Sequence, residues 1–259
     1  MGNNHVFKDV ISDYEIARPG YPTQLFKDIV DFSVLKKDAK ILEIGSGPGQ
    51  ATDYFVKNRY SITGLEIEDK QVQYLLEKYS EYHNFNSICS FFEDYDDLEE
   101  TFDLIFSATA FHWIKPEVGY PKAYNLLKKG GVMAVFWHLS SIIEPKTEML
   151  IEIRNIYRKL APEFDDYLSP EDAEDLHNLR LSEIQTNNLF DRPVSMVYRW
   201  DDEYTTERYL KLINSISDFH DLDYDKKKAI LETVADYING KNGKITVPQE
   251  VRLYMAKKY

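Results

Sequence analysis

Apolar positions in the first half of the chain fall into short runs separated by stretches of helical spacing. Residues 5–22 are polar and aromatic and end in Arg18-Pro-Gly-Tyr-Pro22, where two prolines preclude a helix. Leu25, Phe26, Ile29, Val30 and Phe32 then share one helical face, predicting a helix from Thr23, as N-cap, to about Leu35. The run 39–44 predicts a first strand. Residues 50–58 predict a helix with Ala51, Tyr54 and Phe55 inward. A second strand is expected over 61–67, then a helix capped by Asp69, with Val72, Leu75 and Leu76 on one face and its end near Tyr82. Strands follow at 86–92 and 102–108, the latter nearly continuous in apolar residues, as buried parallel strands are. A helix over 120–127, closed by Lys128-Lys-Gly-Gly131, leads to a fifth strand at 132–137. This alternation predicts a parallel sheet with helices on both faces.

After His138 the rhythm changes. Helices are expected at 147–160, 171–179, 204–219 and 224–238. Strands are expected at 194–200 and at 245–255, the last interrupted by Pro248. The expected organisation is an N-terminal segment and helix (1–35), a core (36–139), a helical cap (140–189) and a return to the core (190–259) with a helical insertion at about 204–240.

Composition narrows the classes. At 259 residues with 43% hydrophobic content, the chain can bury a real core. A formal net charge of −13 argues against nucleic-acid binding, which needs a surplus of Lys and Arg. The single cysteine, Cys89, excludes an intramolecular disulfide; between Ile88 and Phe91 it reads as a buried structural thiol. No apolar run is long enough to span a membrane, and the first residues lack a signal-like apolar stretch. Val6 stands where a myristoylation signal needs Ser or Thr. A cytoplasmic protein without membrane or nucleic-acid partners is expected. No histidine pair has metal-ligand spacing, so no metal is expected.

The chemistry concentrates in Ile41-Leu-Glu-Ile-Gly-Ser-Gly-Pro-Gly-Gln50. A strand runs into a glycine-rich turn with an acid, Glu43, just before it. Such a turn after the first strand of a βα unit holds nucleotide-like cofactors. A carboxylate there is a poor neighbour for a pyrophosphate and suits a ligand carrying ammonium or sulfonium charge. S-adenosylmethionine (SAM) carries both. Glu66, about twenty residues on, ends the second strand where an acid can accept hydrogen bonds from ribose hydroxyls. Ser107-Ala-Thr-Ala-Phe-His-Trp113 follows the fourth strand, on the side of an open α/β sheet that faces the ligand crevice.

Over roughly 36–139 these ordered motifs resemble the class I SAM-dependent methyltransferases, in the branch often labelled type 11. The resemblance implies a Rossmann-like, seven-stranded, mostly parallel sheet with an antiparallel final strand, helices on both faces and a helical cap from C-terminal insertions. It implies that Gly45 and Gly47 line the methionine moiety with Glu43 near its amino group. Ser46, Gln50, Ile67, Ala108 and Thr109 are further implied cofactor positions, and Glu66 meets the ribose. Phe91 stands where many relatives carry an adenine-binding Asp, leaving Phe92 and Glu93 as the adenine contacts. Tyr14 and Arg18 resemble a segment folded over the cofactor, with Tyr14 shielding SAM and Arg18 reaching a carboxylate.

His112 is the candidate catalytic residue, orienting the acceptor or acting as general base. Trp113, expected to pack under its loop, joins Trp137, His138, Tyr209, Ser217 and His220 as candidate substrate residues. The expected function is methyl transfer from SAM to a small-molecule acceptor by in-line displacement. A carboxylate acceptor needs no base; an amine or phenol must lose a proton. Two alternatives remain at this point: a nicotinamide-dependent Rossmann oxidoreductase, whose glycine spacing differs, and a non-catalytic SAM-binding regulator.

Overall fold

A computed structural model describes residues 16–139, 147–164 and 169–259. The chain divides into two compact units. Of the described residues, the first comprises 20–138, 174–198 and 251–259; the second comprises 16–19, 139, 147–164, 169–173 and 199–250. This division cuts the expected 140–189 segment between Ala173 and Glu174.

The first unit holds the sheet. Its elements are α1 (Thr23–Ser33), β1 (Lys40–Ile44), α2 (Thr52–Lys57), β2 (Ser61–Glu66), α3 (Asp69–Lys78), β3 (Phe85–Cys89), β4 (Phe102–Ala108), α4 (Pro116–Leu126) and β5 (Leu127–His138). A helix α6 (Pro170–Gln185), a strand β6 (Val194–Thr205) and a strand β7 (Lys244–Lys257) each belong to it in part. The sheet has seven strands in the order β3-β2-β1-β4-β5-β7-β6. Pairs among β1 to β5 are parallel, and β7 runs antiparallel to β5, from Val132 opposite Lys257 to His138 opposite Val251. This is the Rossmann-like mixed α/β sheet that the alternation and the resemblance imply. Strand order reverses direction between β1 and β4, and ligands of open α/β sheets bind beyond the strand C-termini at such a switch point. The core includes Leu42, Ile105, Met133 and Val135, with Tyr120 from α4, Ile184 from α6 and Tyr254 from β7.

The second unit is built on α5 (Glu148–Leu160), α7 (Thr206–Asn214), α8 (Ser217–His220) and α9 (Tyr224–Asn239). Side chains of Thr147, Thr205 and Asp223 cap α5, α7 and α9 by accepting backbone N–H bonds at the third helical position. Its own core gathers Tyr157, Phe164, Tyr204, Ile213, Phe219, Ile230, Val234 and Ile238. Arg208 forks onto both oxygens of Asp202 and covers the Tyr204 ring at 3.9 Å.

Several expectations need correction. Thr23 and Asp69 begin their helices rather than capping them; Pro22 and Glu68 hold the cap positions without side-chain bonds. Lys128-Lys-Gly-Gly131 opens β5 instead of closing a helix, with Gly130 and Gly131 bonded to Lys258. The helix expected over 204–219 is two, because Ser215 turns its N–H and hydroxyl back onto the last carbonyls of α7. The 171–179 helix extends to Gln185, and β7 runs through Pro248 without a break. Cys89 is exposed: β3 ends there, and the Ile88 and Phe91 neighbours do not enclose it.

Candidate functional site

The glycine turn is held from below by strand geometry. The N–H groups of Gly45 and Ser46 both donate to Leu65 O at the end of β2, at 2.9 and 3.1 Å. Gly45 and Gly47 have φ of +72° and +52°. A Cβ on Gly45 would lie 2.5 Å from Ala110 Cβ, so the loop after β4 packs directly on the turn. A Cβ on Gly47 would meet nothing within 4 Å. One glycine therefore permits a close approach, and the other faces open space.

Two carboxylates flank the turn. Glu43 on β1 is wholly buried. Its Oε2 accepts a hydrogen bond from Thr52 Oγ1 at 2.5 Å, while among the described residues Oε1 has no hydrogen-bond partner. Burial pushes its carboxyl up to about 8, against the pull of the Thr52 hydroxyl. Glu66 at the end of β2 differs. Its Oε2 accepts from Gly47 N at 2.8 Å and its Oε1 from Ile67 N at 2.9 Å, so it ties the turn to its own strand.

Behind the turn, the Tyr79 hydroxyl lies 2.9 Å from Gly49 O and 2.6 Å from Asp53 Oδ1, and Lys78 Nζ donates to Pro48 O. Periodicity singled out neither Thr52, Lys78 nor Tyr79. For Thr52 a signal existed: a small hydroxyl at the first turn of the helix that follows an acid-glycine motif.

The loop after β4 supplies the next groups. Thr109 has φ +56°, uncommon for a branched residue. Its hydroxyl lies 3.1 Å from Tyr21 OH, and Tyr21 stacks on His138 at 4.6 Å. His112 lies in a 3-10 turn over Phe111–Trp113. Trp137 Nε1 donates to His112 Nδ1 at 3.1 Å. The Arg180 guanidinium covers the Trp137 ring at 4.6 Å and is gripped through two bonds by Glu183. Burial, then the Arg180 charge, holds the His112 imidazole below its ordinary value.

Of the predicted residues, Glu43, Gly45, Ser46, Gly47, Glu66, Ile67, Ala108, Thr109, His112, Trp137 and His138 gather at the C-terminal ends of β1, β2, β4 and β5. Gln50 follows the turn, half-buried. Phe92 packs in the core, 6.4 Å from the Phe111 ring, and Glu93 is exposed. Trp113 does not pack under the loop; it is 79% exposed. Arg18 donates to a backbone carbonyl, Ser215 O, at 2.6 Å. Tyr209 is buried in the second unit's core, Ser217 opens α8 and His220 is exposed. Tyr14 and the Ser217 side chain lie outside what the structure describes. Among the described residues, no group of three or more His, Cys, Asp or Glu is placed to hold a metal, and no helix is long and apolar enough to cross a membrane.

Comparison with known proteins finds likenesses in sequence and fold. Residues 42–135 match the methyltransferase domain family. A methyltransferase-like protein of Schizosaccharomyces pombe is 29% identical over 161 residues, covering 61% of each chain. A second methyltransferase of that organism is 27% identical over 206 residues, covering 71% of this chain and 80% of its own. The match thus spans about three-fifths of the first relative's length. Among solved structures, phosphoethanolamine N-methyltransferase 2 of Haemonchus contortus, in complex with S-adenosylhomocysteine, superposes with a TM-score of 0.54. The identity there is 15%, covering 96% of this chain and 57% of that one. Residues 42–135 are thus similar to a methyltransferase domain.

Proposed function

We propose that this protein transfers the methyl group of SAM to a small-molecule acceptor. The observation that carries the reading is the pair of acids about the glycine turn. Glu43 buries a carboxyl oxygen with no hydrogen-bond partner among the described residues, an arrangement that costs free energy unless a donor arrives. The ammonium of a methionine moiety is such a donor. Gly47 leaves open space beside it for close approach, and Glu66 offers its remaining lone pairs to ribose hydroxyls. Ser46, Gln50, Ile67, Ala108 and Thr109 complete the proposed cofactor contacts.

When bound, SAM supplies a methyl group already activated by its sulfonium. The protein's task is then to align an acceptor atom with the S–CH3 bond, which supplies much of the rate gain. Phe92, packed in the core, and the exposed Glu93 are the proposed adenine contacts. His138, Trp137 and His112 border the acceptor side.

Calorimetry with SAM and with NADH tests the reading. Saturable SAM binding with no NADH binding is expected; tight NADH binding would replace it with an oxidoreductase. Incubation with methyl-labelled SAM and a metabolite extract then separates an enzyme from a cofactor-binding regulator, since only an enzyme moves the label.

A further inference from the structure

We infer that His112 serves the reaction as a hydrogen-bond donor rather than a base, in a tautomer set by Trp137, and that the acceptor it holds is a carboxylate. The inference rests on the methyltransferase reading and names the acceptor class for that same site.

An indole nitrogen can only donate. Trp137 Nε1 lies 3.1 Å from His112 Nδ1, so Nδ1 carries the lone pair and the neutral ring carries its proton on Nε2. The two ring nitrogens diverge, so with Nδ1 on the indole the Nε2–H is turned away from it. Among the described residues, Nε2 has no hydrogen-bond partner. Protonating the ring would set N–H against N–H, and the Arg180 guanidinium over Trp137 disfavours a second positive charge there.

The groups facing the ring are Trp137 on β5, Arg180 on α6 with its partner Glu183, and Trp113 in the same turn, 4.9 Å away. None of these takes the proton from Nε2. A group with its proton already on the outward nitrogen cannot accept one there, but it can hold an oxygen.

The loop that carries His112 packs on the glycine turn through Ala110 and Gly45, which places this donor beside the proposed cofactor cradle. An acceptor that needs no base fits such a donor, and a carboxylate is ionised at neutral pH. The step balances without a proton. A lone pair on the acceptor oxygen forms the O–CH3 bond, the S–CH3 bond breaks, and its electron pair stays on sulfur. The negative and positive charges cancel, giving a neutral methyl ester and a thioether.

Two measurements on the full chain test this. In protein labelled with 15N-histidine, long-range NMR correlations are expected to show the His112 proton on Nε2. Trp137→Phe is expected to let the Nδ1–H form appear. A proton on Nδ1 in the unaltered protein overturns the proposal, whatever turns over.

Separately, methyl-labelled SAM is offered with aliphatic carboxylic acids, phenols and primary amines. Label is expected in the acids, released as methanol by alkali. His112→Gln, whose amide N–H stands in for Nε2–H, is expected to keep kcat/KM within a few-fold. His112→Ala is expected to lose about ten- to a hundredfold, the scale of a hydrogen bond to a charged group. Alkali-stable label on an amine or phenol, with Gln as inactive as Ala, overturns the donor role while leaving the methyltransferase reading intact. Failure to bind SAM by calorimetry sinks that reading instead. If no acid takes the label from a protein that binds SAM, the carboxylate assignment is overturned whatever the tautomer.

Discussion

The ends of β1 and β2 carry the same residue type in opposite states. Glu43 is sealed from water, has one oxygen unmatched and has its carboxyl pushed up to about 8. Glu66, on the neighbouring strand, has each oxygen matched to a backbone N–H. The first is an incomplete arrangement that a cation would finish. The second is complete before any ligand arrives, and it fixes the turn in place. On the proposed reading, the two acids separate attraction from shape: ionised by the arriving ligand, Glu43 would supply the charge that discriminates, while Glu66 pre-organises the backbone.

The largest blow to the comparison is at the residue between the two acids. Gly47→Val is expected to abolish SAM binding by filling the space beyond Gly47, and to destabilise the fold by about 1–2 kcal/mol because φ is +52°. Calorimetry and denaturant unfolding on the same sample check both halves. Unchanged affinity in a folded variant would mean the ligand lies elsewhere.

Glu66→Ala comes next. It removes ribose acceptors and frees Gly47 N together, so SAM affinity is expected to fall by about 2–3 kcal/mol, with a lower melting temperature. Glu43→Gln is expected to weaken SAM by about 1.5–2 kcal/mol while leaving the ligand-free melting temperature unchanged or raised, because it removes a buried acid. A melting temperature lowered by Glu66→Ala but not by Glu43→Gln is the sharpest form of the contrast.

The smallest effect is one of pH. Glu43 in the ligand-free fold sits above its ordinary value of 4.5, so the folded state holds a proton the unfolded chain has lost. Its contribution to stability is fully present below the ordinary value and is lost as pH rises through about 8. SAM binding would ionise the group, so affinity should rise with pH across that window and protons should be released. Titrations in buffers of different ionisation enthalpy read the release; Glu43→Gln should abolish it.

The sheet half was legible because each of its signals is local. Strand, acid, glycines and helix lie within ten residues of each other, and Glu66 closes the next strand. Legibility failed where a pattern had to be placed on a face. Phe91 and Phe92 are equally apolar in sequence, yet the first is exposed and the second is core, because β3 stops at Cys89. It failed again where partners are far apart in sequence. Nothing periodic links His112 to Trp137, or Trp137 to Arg180, and these contacts decide what the histidine can do. Arg18 shows the same limit: its partner, Ser215 O, is 197 residues away.

The exposed position of Cys89 has a practical use. It is the sole thiol of the chain, and its Sγ sits 3.5 Å from the carbonyl of Ile67, one residue past the proposed ribose acid. A maleimide dye would therefore attach at a single address, on the doorstep of the proposed nucleoside site. Its brightness would report arrivals and departures in real time, with no need to know which compound receives the methyl group.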